Sequence, residues 1–120
     1  MLTELNKEFH ESEEHTLFII GTNGEERRSL IDFFQSEYKI ITDSAKNGVD
    51  VLIENRKKIC AILIDVEDTF KDAFDLLEII KNDSDFSNIP VIVIANTDSV
   101  EYAEKCFSLG VSDFLVRPFN

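Results

Sequence analysis

The chain has 120 residues, the size of a single domain, and 43% of them are apolar, so a buried core is expected rather than disorder. Its 24 acidic residues outnumber its 12 basic residues and give a formal net charge of −12. That charge argues against nucleic acid and anionic membrane as direct partners, because both bind basic surfaces. Divalent cations and basic protein surfaces are compatible with it.

In chain order, the first predicted element is a short amphipathic helix or arm at residues 1–14. Leu2, Leu5 and Phe9 fall on one helical face, and glutamates occupy much of the remainder. The segment is acidic, which is unlike the basic and then apolar start of a signal peptide. We therefore interpret it as an arm preceding a domain at residues 15–120.

Five short apolar stretches predict the strands of one sheet. The first, third and fourth are continuously apolar and rich in β-branched residues, which is typical of parallel strands buried on both faces by helices. The second and fifth are shorter and more mixed, as expected at the edges of a sheet. In order, the stretches lie at residues 17–20, 38–41, 59–64, 91–95 and 114–116.

Helical patterns separate these strands, because apolar residues recur there at the spacing of one helical face. Gly110 is placed to end the last helix. The domain therefore alternates strand and helix throughout, which predicts a crossover-connected parallel sheet. The predicted helices cover residues 24–37, 44–56, 70–82 and 98–109.

A helix after the fifth strand is expected to be absent or truncated, because the sequence ends three residues beyond Arg117. Either the chain was cut from a longer protein, or the segment at 1–14 covers that part of the sheet. Apolar sheet left exposed by the absent helix would be a natural homodimer contact.

Two features predict a cytoplasmic protein. Cys60 and Cys106 lie within apolar runs and lack CxxC spacing, which indicates reduced core thiols rather than a disulfide framework. The longest apolar runs are also far shorter than the roughly 20 residues of a membrane span.

Ligands of an open parallel α/β sheet bind at the carboxyl ends of the strands, so the charged residues there are the candidate site. Asp65 follows six apolar residues, and the third strand either delivers its carboxylate to this edge or uses it to cap the next helix. Glu67 and Asp68 add charge, which predicts either a site for a hard cation such as Mg²⁺ or a solvated acidic loop. Arg117 ends the fifth strand, where it would reach Asp65 or an anion beside it, or form a surface ion pair.

Patterns around the start of the first helix have local interpretations. Thr22 and Glu25 have the spacing of a capping box, with threonine at the N-cap and glutamate at the third helical position. Arg27 and Arg28 follow Glu25 and Glu26 directly, which predicts ion pairing within the helix.

Four segments together carry a family resemblance. In order and spacing they resemble the receiver domain of bacterial two-component response regulators of the chemotaxis-regulator type, over residues 16–120. The resemblance implies a flavodoxin-like three-layer α/β sandwich with a five-stranded parallel sheet in the order 2-1-3-4-5. The segments are AKNG at 45–48, ILID at 62–65, NIPVIVI at 88–94 and LGVSDFLVRPF at 109–119.

The resemblance also implies roles for single positions. Asp65 matches the aspartate that accepts a phosphoryl group from a sensor histidine kinase. In the family, an acid pair after the first strand binds Mg²⁺, and a Ser or Thr after the fourth strand and a Lys after the fifth contact the phosphoryl oxygens. Phe114 matches an aromatic residue that moves with this contact.

The chain departs from that pattern at three of these sites. Gly21 and Thr22 replace the acid pair, Ala95 replaces the hydroxyl residue, and Arg117 replaces the lysine. A shift of one or two residues in the alignment would place Asn96 or Thr97 at the phosphate-contact position instead of Ala95, although Thr97 also fits a cap of the next helix. Without metal the charge that develops during phosphoryl transfer is poorly neutralised.

Three functions follow as hypotheses. The first is a degenerate receiver that acts by protein contacts, as a homodimer or as a docking element for a C-terminal output domain on a longer chain. The second is a working receiver, in which Asp65 accepts a phosphoryl group autocatalytically and Glu67 helps to recruit Mg²⁺. The third is a nucleotide or small-molecule module, in which Gly21 and Gly24 open a helix and Asp43 supplies a ribose-binding acid.

Overall fold

Strands and helices alternate along the residues that the structure, a computed structural model, describes, namely 15–67 and 70–118. The predicted arm at 1–14 and the predicted metal ligand Asp68 lie outside these residues. The described elements are β1 (Thr16–Ile20), α1 (Gly24–Phe34), β2 (Lys39–Asp43), a 3-10 turn (Ala45–Asn47), α2 (Gly48–Glu54), β3 (Ile59–Asp65), α3 (Phe70–Asn82), β4 (Val91–Ala95), α4 (Val100–Ser108) and β5 (Asp113–Val116).

The five strands form one parallel sheet in the order β2-β1-β3-β4-β5. This confirms the flavodoxin-like α/β topology. The register places Asp65 beside Ile94, and Ala95 beside Val116. The residues that follow β1, β3, β4 and β5 are therefore neighbours at the carboxyl edge of the sheet.

Apolar side chains on the two faces of the sheet form two hydrophobic clusters. Every residue of β1, β3 and β4 is buried, whereas β2 is half-buried along most of its length, as predicted for an edge strand. One cluster contains Leu52 of α2, Leu77 of α3 and Cys106 of α4. The other contains Leu30 of α1 together with Leu115 of β5.

The expectation of an uncovered apolar sheet near β5 is wrong for the described strands. Ile92 and Ile94 of β4 are 0% exposed and Leu115 of β5 is 5% exposed. These three side chains belong to the cluster into which Leu30 and Phe34 of α1 pack, so the chain buries them itself. None of the helices within 15–67 and 70–118 is long and apolar enough to cross a membrane.

The capping box predicted at Thr22 is also wrong. The N-cap of α1 is Asn23, and the Thr22 side chain is turned inward, with the residue only 1% exposed. Its Oγ1 finds no hydrogen-bond partner among the described residues. Gly21 has a φ of +83°, and this left-handed turn directs the chain so that threonine is buried before the helix begins.

Candidate functional site

A pocket of about 300 Å³ lies at the carboxyl edge of the sheet. Three carboxylates and one guanidinium face it, so its lining is acidic even after the arginine is counted. The loops after β3, β4 and β5 contribute to it, and so does the first turn of α1. Its described lining residues are Asn23, Glu26, Asp65, Glu67, Asn96 and Arg117.

Asp65 lies at the base of this pocket and is 7% exposed. Its Oδ1 accepts a hydrogen bond from the backbone N–H of Glu67 at 2.8 Å. Its Oδ2 accepts one from Nη2 of Arg117 at 2.6 Å. Because α3 begins at Phe70, Asp65 is too far along the chain to be the N-cap of that helix. Both carboxylate oxygens instead bind donors at the site.

Arg117 is the centre of the ion-pair network. Its Nε and Nη2 donate to the two carboxylate oxygens of Glu26 at 2.7 and 2.6 Å, a bidentate arrangement. Its Nη1 donates to Oδ1 of Asn96 at 3.0 Å. The hydrogen bond to Glu26 raises the pKa of Arg117, the bond and charge of Asp65 raise it further, and burial opposes them. The guanidinium is therefore fixed as a cation.

Glu67 and Asn96 close the network into a ring. The backbone N–H of Asn96 donates to Oε2 of Glu67 at 2.6 Å. The side chain of Asn96 binds Arg117, which binds Asp65, and Asp65 accepts from Glu67. The ring ties the loops after β3 and β4 to the end of β5, and Glu26 anchors it to α1.

Glu26 is the site residue that sequence reasoning missed. The predicted local pairing with its arginine neighbours is wrong, since Glu26 pairs with Arg117, 91 residues away, and Nη2 of Arg27 donates to the carbonyl of Thr22. A signal was present in the sequence. Glu26 lies one turn before Leu30, which is buried, so it continues the inward-facing stripe of α1 to the sheet edge.

The positions that match the family's metal-binding acid pair do not fit a metal ion. Gly21 has no side chain, and Thr22 is buried with its hydroxyl away from the pocket lining. The remaining acid, Asp65, already binds the guanidinium of Arg117. Across residues 15–67 and 70–118, no group of three His, Cys, Asp or Glu side chains is arranged to hold a metal.

Ala95 does not line the pocket. It is 0% exposed, and its contact with the site is through its carbonyl, which accepts from the backbone N–H of Arg117 at 2.9 Å. A methyl group donates no hydrogen bond, so this position offers nothing to an anion. Asn96, the next residue, projects into the pocket in its place.

Phe114 is half-buried on β5 and belongs to an aromatic row. Its ring centroid lies 6.0 Å from that of Tyr102, and Tyr102 lies 5.9 Å from Phe74, both in edge-to-face geometry. Burial raises the pKa of Tyr102, and the charge of Glu67 raises it further. The row therefore extends from β5 through α4 to α3.

The residues of the nucleotide hypothesis are not brought into the pocket. Oδ1 of Asp43 accepts from Nδ2 of Asn47 at 2.8 Å and from the backbone N–H of Ser44 at 2.7 Å. These hydrogen bonds lower the pKa of Asp43, and they hold its carboxylate against the 3-10 turn, whose N-cap is Ser44. The glycines predicted to open the first helix do not line the pocket either.

The relatives found by comparison with known proteins are response regulators and response regulator-like proteins. The chain is 33% identical over 77 residues to the two-component response regulator-like protein APRR1 of Arabidopsis thaliana, covering 64% of this chain and 12% of that protein. It is 31% identical over 84 residues to the two-component response regulator ORR3 of Oryza sativa subsp. indica, covering 69% of this chain and 63% of that protein. The chain thus spans less than two thirds of either relative. A scan against models of protein families finds no match.

Solved structures share the fold. A signal receiver domain of a histidine kinase from Clostridium thermocellum superposes with a TM-score of 0.74 at 24% identity, covering 89% of this chain and 88% of that one. The chemotaxis protein CheY4 of Vibrio cholerae gives 0.77 at 18% identity over 88% of each chain. The Mn²⁺-bound response regulator Rcp1 gives 0.76 at 19% identity, covering 88% of this chain and 83% of that one.

The sequence relatives and the shared fold together identify this chain as a receiver domain of the two-component response-regulator class.

Proposed function

We propose that this receiver domain is degenerate and transmits its signal by protein contacts, without phosphorylation of Asp65. One observation carries the proposal: both oxygens of the Asp65 carboxylate are already engaged, by Arg117 and by the Glu67 backbone. A carboxylate held this way is a weaker nucleophile, because the guanidinium stabilises the negative charge that attack on phosphorus would use.

The positions around Asp65 support the same proposal. Mg²⁺ takes oxygen ligands, usually one or two carboxylates with waters and phosphate oxygens. Gly21 and the buried Thr22 supply none where the family has its acid pair. The Mn²⁺-bound neighbour Rcp1 shares the fold, but we propose that this chain does not depend on a divalent cation.

The test of this function is intact mass spectrometry after incubation with acetyl phosphate and Mg²⁺. The expected result is an unchanged mass for the wild-type chain and for Asp65→Asn, with a phosphorylatable receiver treated in parallel as the positive control. A gain of one phosphoryl group by the wild type that is absent from Asp65→Asn would refute the proposal and establish a working receiver, which would then act with a histidine kinase.

The partner would be an output domain on a longer cytoplasmic chain, or a second copy of this domain. The relatives support the first, because the chain spans only 12% and 63% of the two described above. Val100 and Phe107 support a contact on α4, since they are 70% and 49% exposed and two helical turns apart on one face.

Light scattering tests the homodimer. We expect a concentration-dependent dimer that Phe107→Ser weakens and that Phe33→Ser, a matched change of an exposed phenylalanine on α1, leaves intact. A monomer at all concentrations, or equal effects of the two substitutions, would contradict a homodimer through α4.

A further inference from the structure

The acidic pocket contains a positively charged side chain, the guanidinium of Arg117. Glu26, Asp65 and Glu67 bring three carboxylates to the lining of the pocket, and carboxylate oxygens are the ligands that divalent cations take. The guanidinium of Arg117 lies between two of them, at 2.6 Å from an oxygen of Glu26 and of Asp65. The charged side chains that line the pocket are these three acids and one base, so Arg117 is the positive charge that allows the carboxylates to approach one another.

We propose that Arg117 is the resident cation of this site, in the place that a divalent metal would take, and that Glu26 is the positioning residue that holds it there. The inference rests on the proposed phosphorylation-independent function and deepens it. It names what has replaced the metal and which residue keeps the replacement in position.

The hydrogen-bond inventory of Arg117 supports this role. A guanidinium has about five N–H donors in a rigid plane. Four of them are used, because Glu26 accepts two hydrogen bonds, Asp65 accepts one and Asn96 accepts one. An incoming anion would therefore find one free donor, and an incoming cation would find two of the three carboxylates neutralised.

Glu26 determines where the guanidinium lies. Its side chain is 29% exposed and that of Arg117 is 23% exposed, so both are partly withdrawn from water, where a bidentate pair is strong and directional. Without Glu26, Arg117 would keep only the single bonds to Asp65 and Asn96. Because arginine stays protonated at every accessible pH, the positive charge that Arg117 brings to the pocket is permanent, unlike the charge of a metal ion that dissociates.

The experiment removes the resident cation and asks whether a metal replaces it. Mn²⁺ binding is measured by the electron paramagnetic resonance signal of the free ion, and Mg²⁺ binding by the rise in melting temperature. The variants are Arg117→Ala and Arg117→Gln, of which the second keeps a hydrogen-bond donor for Asp65 and decides the question if the first does not fold. Arg56→Ala is the matched control, because Arg56 forms an ion pair with Asp85 away from the pocket.

We expect both Arg117 variants to bind Mn²⁺ at least about tenfold more tightly than the wild type, since a unit charge within a few ångströms repels a divalent ion by at least that factor. Adding Asp65→Asn should abolish the gain, which would assign it to this pocket. Arg56→Ala should bind like the wild type.

Two results would overturn the inference: wild-type binding within tenfold of the Arg117 variants, or a gain of the same size in Arg56→Ala. Neither depends on the phosphorylation test. Failure of the proposed function would appear as a mass gain in the wild type, whereas failure of this inference would appear only in metal binding.

Discussion

The ion pair between Glu26 and Arg117 gives the most specific prediction, because it joins two elements that are distant in sequence. A double-mutant cycle with Glu26→Gln, Arg117→Met and the double substitution isolates its energy. Each single variant removes the pair while leaving a side chain of similar length. The difference between the double variant and the sum of the singles is the coupling free energy.

Its magnitude follows from geometry and exposure. Exposed ion pairs contribute about 0.2–1 kcal/mol, and breaking a fully buried pair costs about 3–5 kcal/mol. This pair has two short hydrogen bonds, and its side chains are 29% and 23% exposed. It lies between those limits, so we expect a coupling energy of about 1–2 kcal/mol. Arg117→Met should be the more damaging single change, because it leaves Glu26 and Asp65 facing each other without a cation.

Urea unfolding followed by far-ultraviolet circular dichroism at neutral pH measures the four free energies. The pair of Lys71 and Asp75 on α3 is the control, because it has a comparable 2.9 Å contact but side chains 86% and 56% exposed. Its coupling should be far smaller than that of Glu26 and Arg117. A Glu26–Arg117 coupling below about 0.3 kcal/mol, the lower end of the range for exposed pairs, would refute the account of this network.

Three further outcomes test the surroundings of the site and the core. Thr22→Asp, which restores an acid of the family pattern, should destabilise the fold by about 3 kcal/mol or more, because it places a charge at a residue that is 1% exposed. Near-native stability with an Mg²⁺-dependent rise in melting temperature would contradict this. Gly48→Ala should lower the free energy of unfolding in urea by about 1–2 kcal/mol, since the new Cβ would collide with the buried Leu76 side chain. A stabilised variant would show that this contact is loose. Burial raises the pKa of Cys60 and of Cys106 from 9.0 to about 11, so the folded thiols should resist iodoacetamide near pH 8. The free energy of unfolding should fall as pH rises above 9, because only the thiols of the unfolded chain ionise there. Rapid labelling of the folded chain would be inconsistent with this burial.

The strands were predictable because burial on both faces leaves a strong pattern. A run such as Ile59–Asp65, apolar up to its last residue, has few alternatives to a central parallel strand that ends in a carboxylate at the sheet edge. The helices were placed within a few residues by their apolar stripes. The first helical residue of α1 was placed correctly at 24, but its N-cap was not, because a positive φ at Gly21 cannot be predicted from a capping-box spacing and this φ decides which way Thr22 faces.

The site was only partly predictable. Parallel register brings Asp65, Asn96 and Arg117 to one edge, and that follows from strand order alone. Glu26 was missed because neighbouring charges on a helix are usually solvated or paired locally. Its partner is 91 residues away, and the helical phase shared with Leu30 was the one clue to its direction.

The most direct measurement for the central claim is a beryllium fluoride titration in the presence of Mg²⁺, followed by ¹H–¹⁵N spectra. The probes are three N–H groups of the network around Asp65. The backbone amide of Glu67 donates to Oδ1 of Asp65, the backbone amide of Asn96 donates to Glu67, and the Nε–H group of Arg117 donates to Glu26. The account predicts that these signals keep their positions throughout the titration, because Arg117 already occupies the aspartate. Saturable shifts at these groups that disappear in Asp65→Asn would show that the carboxylate is open to a phosphoryl group, and would contradict it.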